Sequence, residues 1–140
     1  MLIVTSNGIP GYRVEAVLGA VMGLTVRAST ISAGLRGLAG GESTEFTRLA
    51  YEARGEVLNR LWGECVRRGG NAVVALSFDT GEVGSNCTEF CAYGTAIVAT
   101  PIPEGEPGAT PQSIARAAAA APPGPGNWPR MGDQIPAEEP

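Results

Sequence analysis

Cys87, Glu89 and Cys91, within the segment GSNCTEFCAYGTA (residues 84–96), are the side chains of this 140-residue sequence whose types and spacing could do chemistry. Two thiols four positions apart with a carboxylate midway fit three uses. Thiolates can hold a soft metal ion, with Glu89 as an oxygen donor; the thiols can form a Cys87–Cys91 disulfide under oxidising conditions; or a strand can simply contain sulfur. Backbone conformation separates these uses. On a strand all three side chains share a face, but Cys87 and Cys91 then lie roughly 13 Å apart. Thiolate–metal bonds of about 2.3 Å cannot span that distance. A helical turn would bring i and i+4 together, yet the Thr, Phe, Tyr and Gly content favours strand or loop. A single-chain site therefore requires residues 84–87 to curl back. The alternative is several copies of the chain around an axis, each contributing Cys or Glu. The candidate metal ligands are Cys87, Glu89 and Cys91, and the candidate cofactor is a soft divalent or monovalent metal ion.

Most other chemistries lack their residues. Histidine is absent, which removes Ser-His-Asp and Cys-His nucleophile pairs and the commonest metal ligand. Asp79, Glu82 and Glu89 form an acid cluster near the sulfurs; acids near a hairpin turn are more often solvated than paired for acid/base work. The glycines at 34, 37, 40 and 41 do not form the G-x-G-x-x-G turn of a dinucleotide site. No catalytic residue or organic cofactor site is expected, so the chain is read as non-enzymatic.

Bulk properties narrow the partners. Ten basic residues, all arginine, against 14 acids give a formal charge of −4, with no electrostatic reason to expect nucleic acid or an anionic membrane. The apolar start MLIV lacks the basic region of a signal peptide and is broken by Asn7, Gly8 and Pro10. Residues 16–26 are apolar over only about half the length of a membrane span. Three cysteines make no disulfide framework, and a reducing, cytoplasmic setting is expected.

The elements that must position the thiols follow from periodicity. Leu2–Thr5 reads as a short strand followed by a turn. Tyr12–Ala28, apolar at alternate positions, predicts the longest strand, with bends at Gly19 and Gly23. Thr30–Leu38 predicts a short helix weakened by Gly34 and Gly37. Residues 44–68 carry Phe46, Leu49, Ala50, Ala53, Val57 and Leu61 at spacings of three and four, one helical stripe. Ser43 or Thr44 caps its start, Arg67 and Arg68 suit its last turn, and Gly69-Gly70 ends it. At roughly 37 Å it is longer than a small sheet can cover, so a second subunit is expected against it, with Leu58 and Trp62 as contact residues or as a widening of the core stripe. Asn71–Phe78 and Thr88–Thr100 predict an antiparallel hairpin, with Asp79-Thr80-Gly81 as a turn or bulge between them. The expected core comprises Val14, Leu18, Val21, Leu35, Phe46, Leu49, Ala50, Ala53, Val57, Leu61, Val74, Leu76 and Val98. One domain over residues 1–102 is followed by a Pro/Ala-rich tail, 103–140, expected to be disordered. Within the tail, Ile114–Ala121 is a nascent helix and Asn127-Trp128-Pro129-Arg130-Met131 a motif for a protein partner.

Gly40-Gly41 before the long helix, Ala53-Arg54 within it, and the Gly-x-Asn-Ala-Val-Val junction at Gly69–Val74 are the most specific pieces of a wider resemblance. From about residue 3 to residue 100 the sequence resembles the YbjQ-like family of small bacterial and archaeal proteins labelled heavy-metal-binding. The resemblance implies an α+β fold, a small antiparallel or mixed sheet packed on one long and one short helix. It also implies assembly into a ring-shaped homo-oligomer, a homopentamer. No ligand set transfers with the label, and the cysteines at 87 and 91 depart from the family's usual last strand. The function expected is that of a homo-oligomeric binding or scaffold protein; the alternative is a soft heavy-metal-binding or sensing protein using Cys87 and Cys91.

Overall fold

The computed structural model describes residues 1–28, 44–84 and 87–120. Its regular elements are β1 (Tyr12–Ala28), α1 (Thr44–Arg67), β2 (Ala72–Val83), β3 (Cys87–Pro101) and α2 (Pro111–Ala120). The strands form one antiparallel sheet in the order β1-β3-β2, so the cysteine-bearing strand is central. The described part is thus α+β, as the resemblance implies. The predicted helix at Thr30–Leu38, with Leu35, and the tail motif at 127–131 lie outside the described residues, as does the side chain of Phe46.

The long β1 bends by inserting residues. Its register against β3 shifts between Val14 and Ala16 and between Val17 and Gly19, leaving Glu15 and Leu18 as the extra residues. Gly19 adopts a positive φ of 90° beside the second shift. Gly23, expected as a bend, serves a different purpose. A Cβ there would stand 1.9 Å from the carbonyl oxygen of Val57, so the missing side chain lets the α1 backbone settle directly on β1.

Helix α1 lays Ala53, Val57, Leu61 and Cys65, all buried and four apart, across the sheet. Leu61 and Cys65 close a core with Val21, Val73 and Ala96, against which Leu58 and Trp62 are partly buried. Trp62 and Leu58 therefore widen the core stripe. Full burial of side chains such as Val57 and Leu61 contributes roughly 1.5–3 kcal/mol each. The helix ends where its glycines dictate. The Gly70 N–H donates to Cys65 O and the Gly69 N–H to Val66 O, with Gly69 at a φ of 84°.

The Gly-x-Asn-Ala-Val-Val junction then has a structural explanation. Any side chain at Gly70 would collide with Cys65 Sγ. Asn71 acts as a surrogate strand residue: its Nδ2 donates to Ala99 O at 2.9 Å and its Oδ1 accepts from the Ala99 N–H at 2.7 Å. The β3 ladder thereby continues past the first residue of β2. On the sheet face away from α1, Ala72, Val74, Ile97 and Ala99 form a second core covered by Leu2, Val4, Ile9 and Tyr12. The N-terminal run makes only an isolated parallel bridge, Ile3 to Val73, but four backbone hydrogen bonds tie it to β2.

Several expectations need correction. Asp79-Thr80-Gly81 is not a turn: all three pair with β3, because the hairpin loop lies beyond Val83. The β2 irregularity falls instead between Val74 and Ser77, where Ala75 takes a positive φ of 53°. Val14 and Leu49 are exposed rather than core; Val14 flanks the first bulge, and Leu49 sits where α1 runs past the covered sheet. Leu18, Ala50, Leu76 and Val98 are half-buried, while Val21, Ala53, Val57, Leu61 and Val74 are buried as expected.

Order also extends beyond residue 102. Thr110 and Ser113 exchange hydrogen bonds across the first turn of α2, Ser113 N–H to Thr110 Oγ1 and Thr110 N–H to Ser113 Oγ. The fully buried Ser113 hydroxyl also donates to Ile102 O at 2.8 Å, and Arg13 pairs with Glu106. The helix expected at Ile114–Ala121 is thus present as α2, but the sequence did not show its anchoring, which comes from a cap and two specific contacts with little apolar burial.

Candidate functional site

Strand β3 is extended from Cys87 onward. Cys87 is paired on both sides, with Ala28 of β1 and Val83 of β2. It does not curl back as single-chain chelation would require. Two residues on, Glu89 lies between Val26 and Gly81; Cys91 lies between Leu24 and Asp79; Tyr93 lies between Met22 and Ser77. Side chains alternate along a strand, so these rows share one face.

That face is the one turned away from α1. Val21, Gly23 and Thr25 are buried under the helix, whereas their neighbours Met22, Leu24 and Val26 point the other way and are 38–53 % exposed. Tyr93 and Val83 add a further 42 % and 45 % exposed pair of apolar side chains. The result is a contiguous apolar surface from three strands, with Cys91 sunk in its middle and Asp79, Glu89 and Cys87 set into it. Among the described residues no ion pair involves Asp79 or Glu89.

The structure therefore places Cys87, Glu89 and Cys91 on one face but does not bring them together. Cys87 and Cys91 are separated by four strand residues, roughly 13 Å, and a disulfide requires Cα atoms within about 7 Å. An intrachain Cys87–Cys91 bridge is excluded in this fold, and all three thiols are free. Among the described residues no three of His, Cys, Asp and Glu converge closely enough to hold a metal ion.

One neighbour emerges that composition did not pair with the sulfurs: Asp79, directly across from Cys91. The signal was present in the hairpin. With Val83 facing Cys87 across a short loop, every β2–β3 pair below it follows by counting, and 79 meets 91. Taking Asp79-Thr80-Gly81 for a turn hid the pair. Burial pushes the Cys91 thiol up, and the negative charges of Glu89 and Asp79 push it the same way. The acids thus hold the proton on sulfur in the isolated chain, and an approaching cation would reverse that balance. Cys65 lies elsewhere, on the buried face of α1; burial raises its pKa, and its Sγ donates to Ala72 O. It is a core side chain.

With this geometry established, comparison with known proteins gives a consistent result. The family model described as "Putative heavy-metal-binding" matches residues 1–100. A UPF0145 protein of Mycobacteroides abscessus is 50% identical over 106 residues, covering 73% of this chain and 99% of the relative. One from Acidothermus cellulolyticus is 49% identical over 100 residues, 69% of this chain and 93% of the relative. An archaeal UPF0145 protein, from Methanoregula boonei, is 43% identical over 105 residues, 72% and 88%. Among solved structures, a Pediococcus pentosaceus protein of unknown function from the DUF74 family aligns with a TM-score of 0.49 at 18% identity, covering 70% of this chain and 96% of that one. The sheet, the long helix and the Gly-x-Asn-Ala-Val-Val junction all fall within the matched residues, and the chain belongs to the YbjQ-like, UPF0145 family.

Proposed function

We propose that this chain is a non-enzymatic, homo-oligomeric binding or scaffold protein that assembles through the uncovered half of its sheet, in a ring that the family resemblance makes pentameric. One observation carries this reading. Met22, Leu24, Val26, Tyr93 and Val83 present a contiguous apolar face on ordered strands, and soluble chains rarely leave such patches uncovered. A neighbouring copy is an economical cover: in a closed ring each subunit sets this face against a different surface of the next, a heterologous contact that repeats around the axis. The reading is tested by light scattering on the full chain, beside the Leu24→Asp variant. Assembly of the parent chain and dissociation of the variant, with unchanged circular dichroism, support it; a clean monomer at micromolar concentration overturns it.

The juxtaposition of Cys91 and Asp79 favours one further reading, a soft-metal site shared between subunits. Each chain offers a thiol and a carboxylate as cross-strand neighbours, short of the four ligands a closed zinc site takes. Copies arranged around the ring axis, each contributing ligands, would supply that number. Elemental analysis of the purified assembly, followed by zinc and copper(I) titration of the parent and the Cys87→Ser/Cys91→Ser variant, tests it. Unchanged stoichiometry in the variant removes this reading and leaves the first intact.

A further inference from the structure

Among the described residues strand β1 is an edge strand, with β3 as its one neighbour in the sheet. Such an edge exposes unpaired N–H and C=O groups that can template another strand. Here three side chains from α1 occupy it. Glu64 Oε2 accepts the Met22 N–H at 2.8 Å; Arg60 Nη1 donates to Leu24 O at 2.5 Å; Arg68 Nη1 reaches Leu18 O at 3.5 Å. The three residues are four apart on one helix, so they form a row parallel to the strand. Further ion pairs hold the row: Arg68 with Glu64, Arg60 with Glu56, and Glu56 with Arg27 of β1.

Placement of the row depends on the Gly23 contact. The α1 backbone reaches van der Waals limits against β1 there, bringing helix side chains within reach of the strand's outward polar groups. The other edge is treated differently. Residues 73–76 of β2 are covered by backbone bonds from Leu2, Val4 and Ser6.

We infer that the Arg60–Glu64–Arg68 row is an edge guard, closing residues 18–24 of β1 against addition of a strand from a second copy of this chain. The guard confines self-association to the sheet face, because an incoming strand must first displace a charged acceptor from Met22 N–H and a charged donor from Leu24 O. This goes beyond the proposed assembly through the sheet face and does not require it.

The experiment compares the full chain with Glu64→Ala, Glu64→Gln and Arg60→Ala, using Arg48→Ala as a control that breaks only the Arg48–Glu52 pair on the same helix. Site-resolved hydrogen exchange and sedimentation velocity are read together. In Glu64→Ala, Met22 amide exchange is expected to rise about ten- to a hundredfold, the range for losing a bond to a charged acceptor. Particles larger than those of the parent chain are expected to grow with time and concentration. Glu64→Gln, whose amide oxygen can still accept the Met22 N–H, is expected to restore most of the protection and the parent's size. If Glu64→Ala fails to fold, Arg60→Ala, which strips the donor from Leu24 O, gives the particle-size readout alone. Faster Met22 exchange with unchanged particle size in Glu64→Ala overturns the guard, as does unchanged particle size in Arg60→Ala or growth equal to that of Arg48→Ala.

Discussion

The sheet face away from α1 has two halves that both carry apolar side chains and are differently covered. Around Ala72, Val74, Ile97 and Ala99 the chain supplies its own lid from Leu2, Val4, Ile9 and Tyr12. Around Met22, Leu24, Cys91 and Tyr93 the described residues supply none. The first half therefore behaves as core of the folded chain, and the second as surface whose apolar character must be explained by something outside it. Whereas Glu82, opposite Thr88, belongs to the α1 side of the sheet, Cys87, Glu89, Cys91 and Asp79 all lie in the second half. Their chemistry is consequently a property of what meets that surface.

Substitution should separate the halves most sharply. Ile97→Ala, at a side chain 2 % exposed, is expected to cost about 2–5 kcal/mol of folding stability by urea denaturation. Leu24→Ala, equally apolar but far more exposed, is expected to cost less than about 1 kcal/mol in the isolated fold while weakening assembly in light scattering. Equal losses of stability at the two sites would mean that the halves are not distinct. Asn71→Ala comes next in size. It removes both bonds to Ala99 at the covered end and leaves a strand N–H and C=O seeking water, for a loss of roughly 1–3 kcal/mol.

That covered end also marks how far the sequence could be read. The stripe at Ala53, Val57 and Leu61, the Gly69-Gly70 stop and the long β1 were legible because each repeats a local rule several times. The strand conformation of Cys87–Cys91, and hence the impossibility of one chain holding one ion with both, followed from composition and rise per residue. What escaped was set by single tertiary contacts. Asn71 reads as a turn residue until Ala99 lies beside it. Gly23 reads as a bend until the α1 backbone rests on it. Thr110 and Ser113 sit in a tail whose proline content argues for disorder, and only Ile102 O reveals why it folds back. Asp79 was recognisable as an acid, but its partnership with Cys91 depended on locating the hairpin loop beyond Val83.

The cysteines offer a smaller test of the same division. With a small maleimide on the full native chain, Cys65, fully buried on the sheet-facing side of α1, is expected to stay unmodified until the protein unfolds. Cys87, half-exposed at the start of β3, is expected to react first, and Cys91, buried with its thiol pushed up by burial and by Glu89 and Asp79, more slowly. If the uncovered half is an interface, dilution below the assembly's dissociation range should speed modification of Cys87 and Cys91 while leaving Cys65 unchanged. Intact mass spectrometry with peptide mapping reads all three sites, and concentration-independent rates at 87 and 91 would separate the thiols from the assembly.

The smallest effect concerns how the edges beside the two halves respond to acid. At the covered half, β2 is tied to residues 2–6 by backbone bonds, which contain no titrating group. At the uncovered half, the β1 edge is tied to α1 through the Glu64 carboxylate. The Met22 N–H holds that carboxyl below its ordinary value of 4.5, assisted by Arg68 and Arg67 against a burial cost. A carboxylate with a depressed folded pKa contributes its stability fully above the unfolded value and loses it as pH falls through the folded one. Glu64 should therefore support the edge at neutral pH and release it only in acid below about 4.5. Hydrogen exchange corrected for its intrinsic pH dependence is expected to lose protection at Met22 before Val73 across that range, with Glu64→Gln abolishing the pH dependence of the difference. Parallel loss at both amides would mean that the two edges open as one unit and that the carboxylate does not set the order.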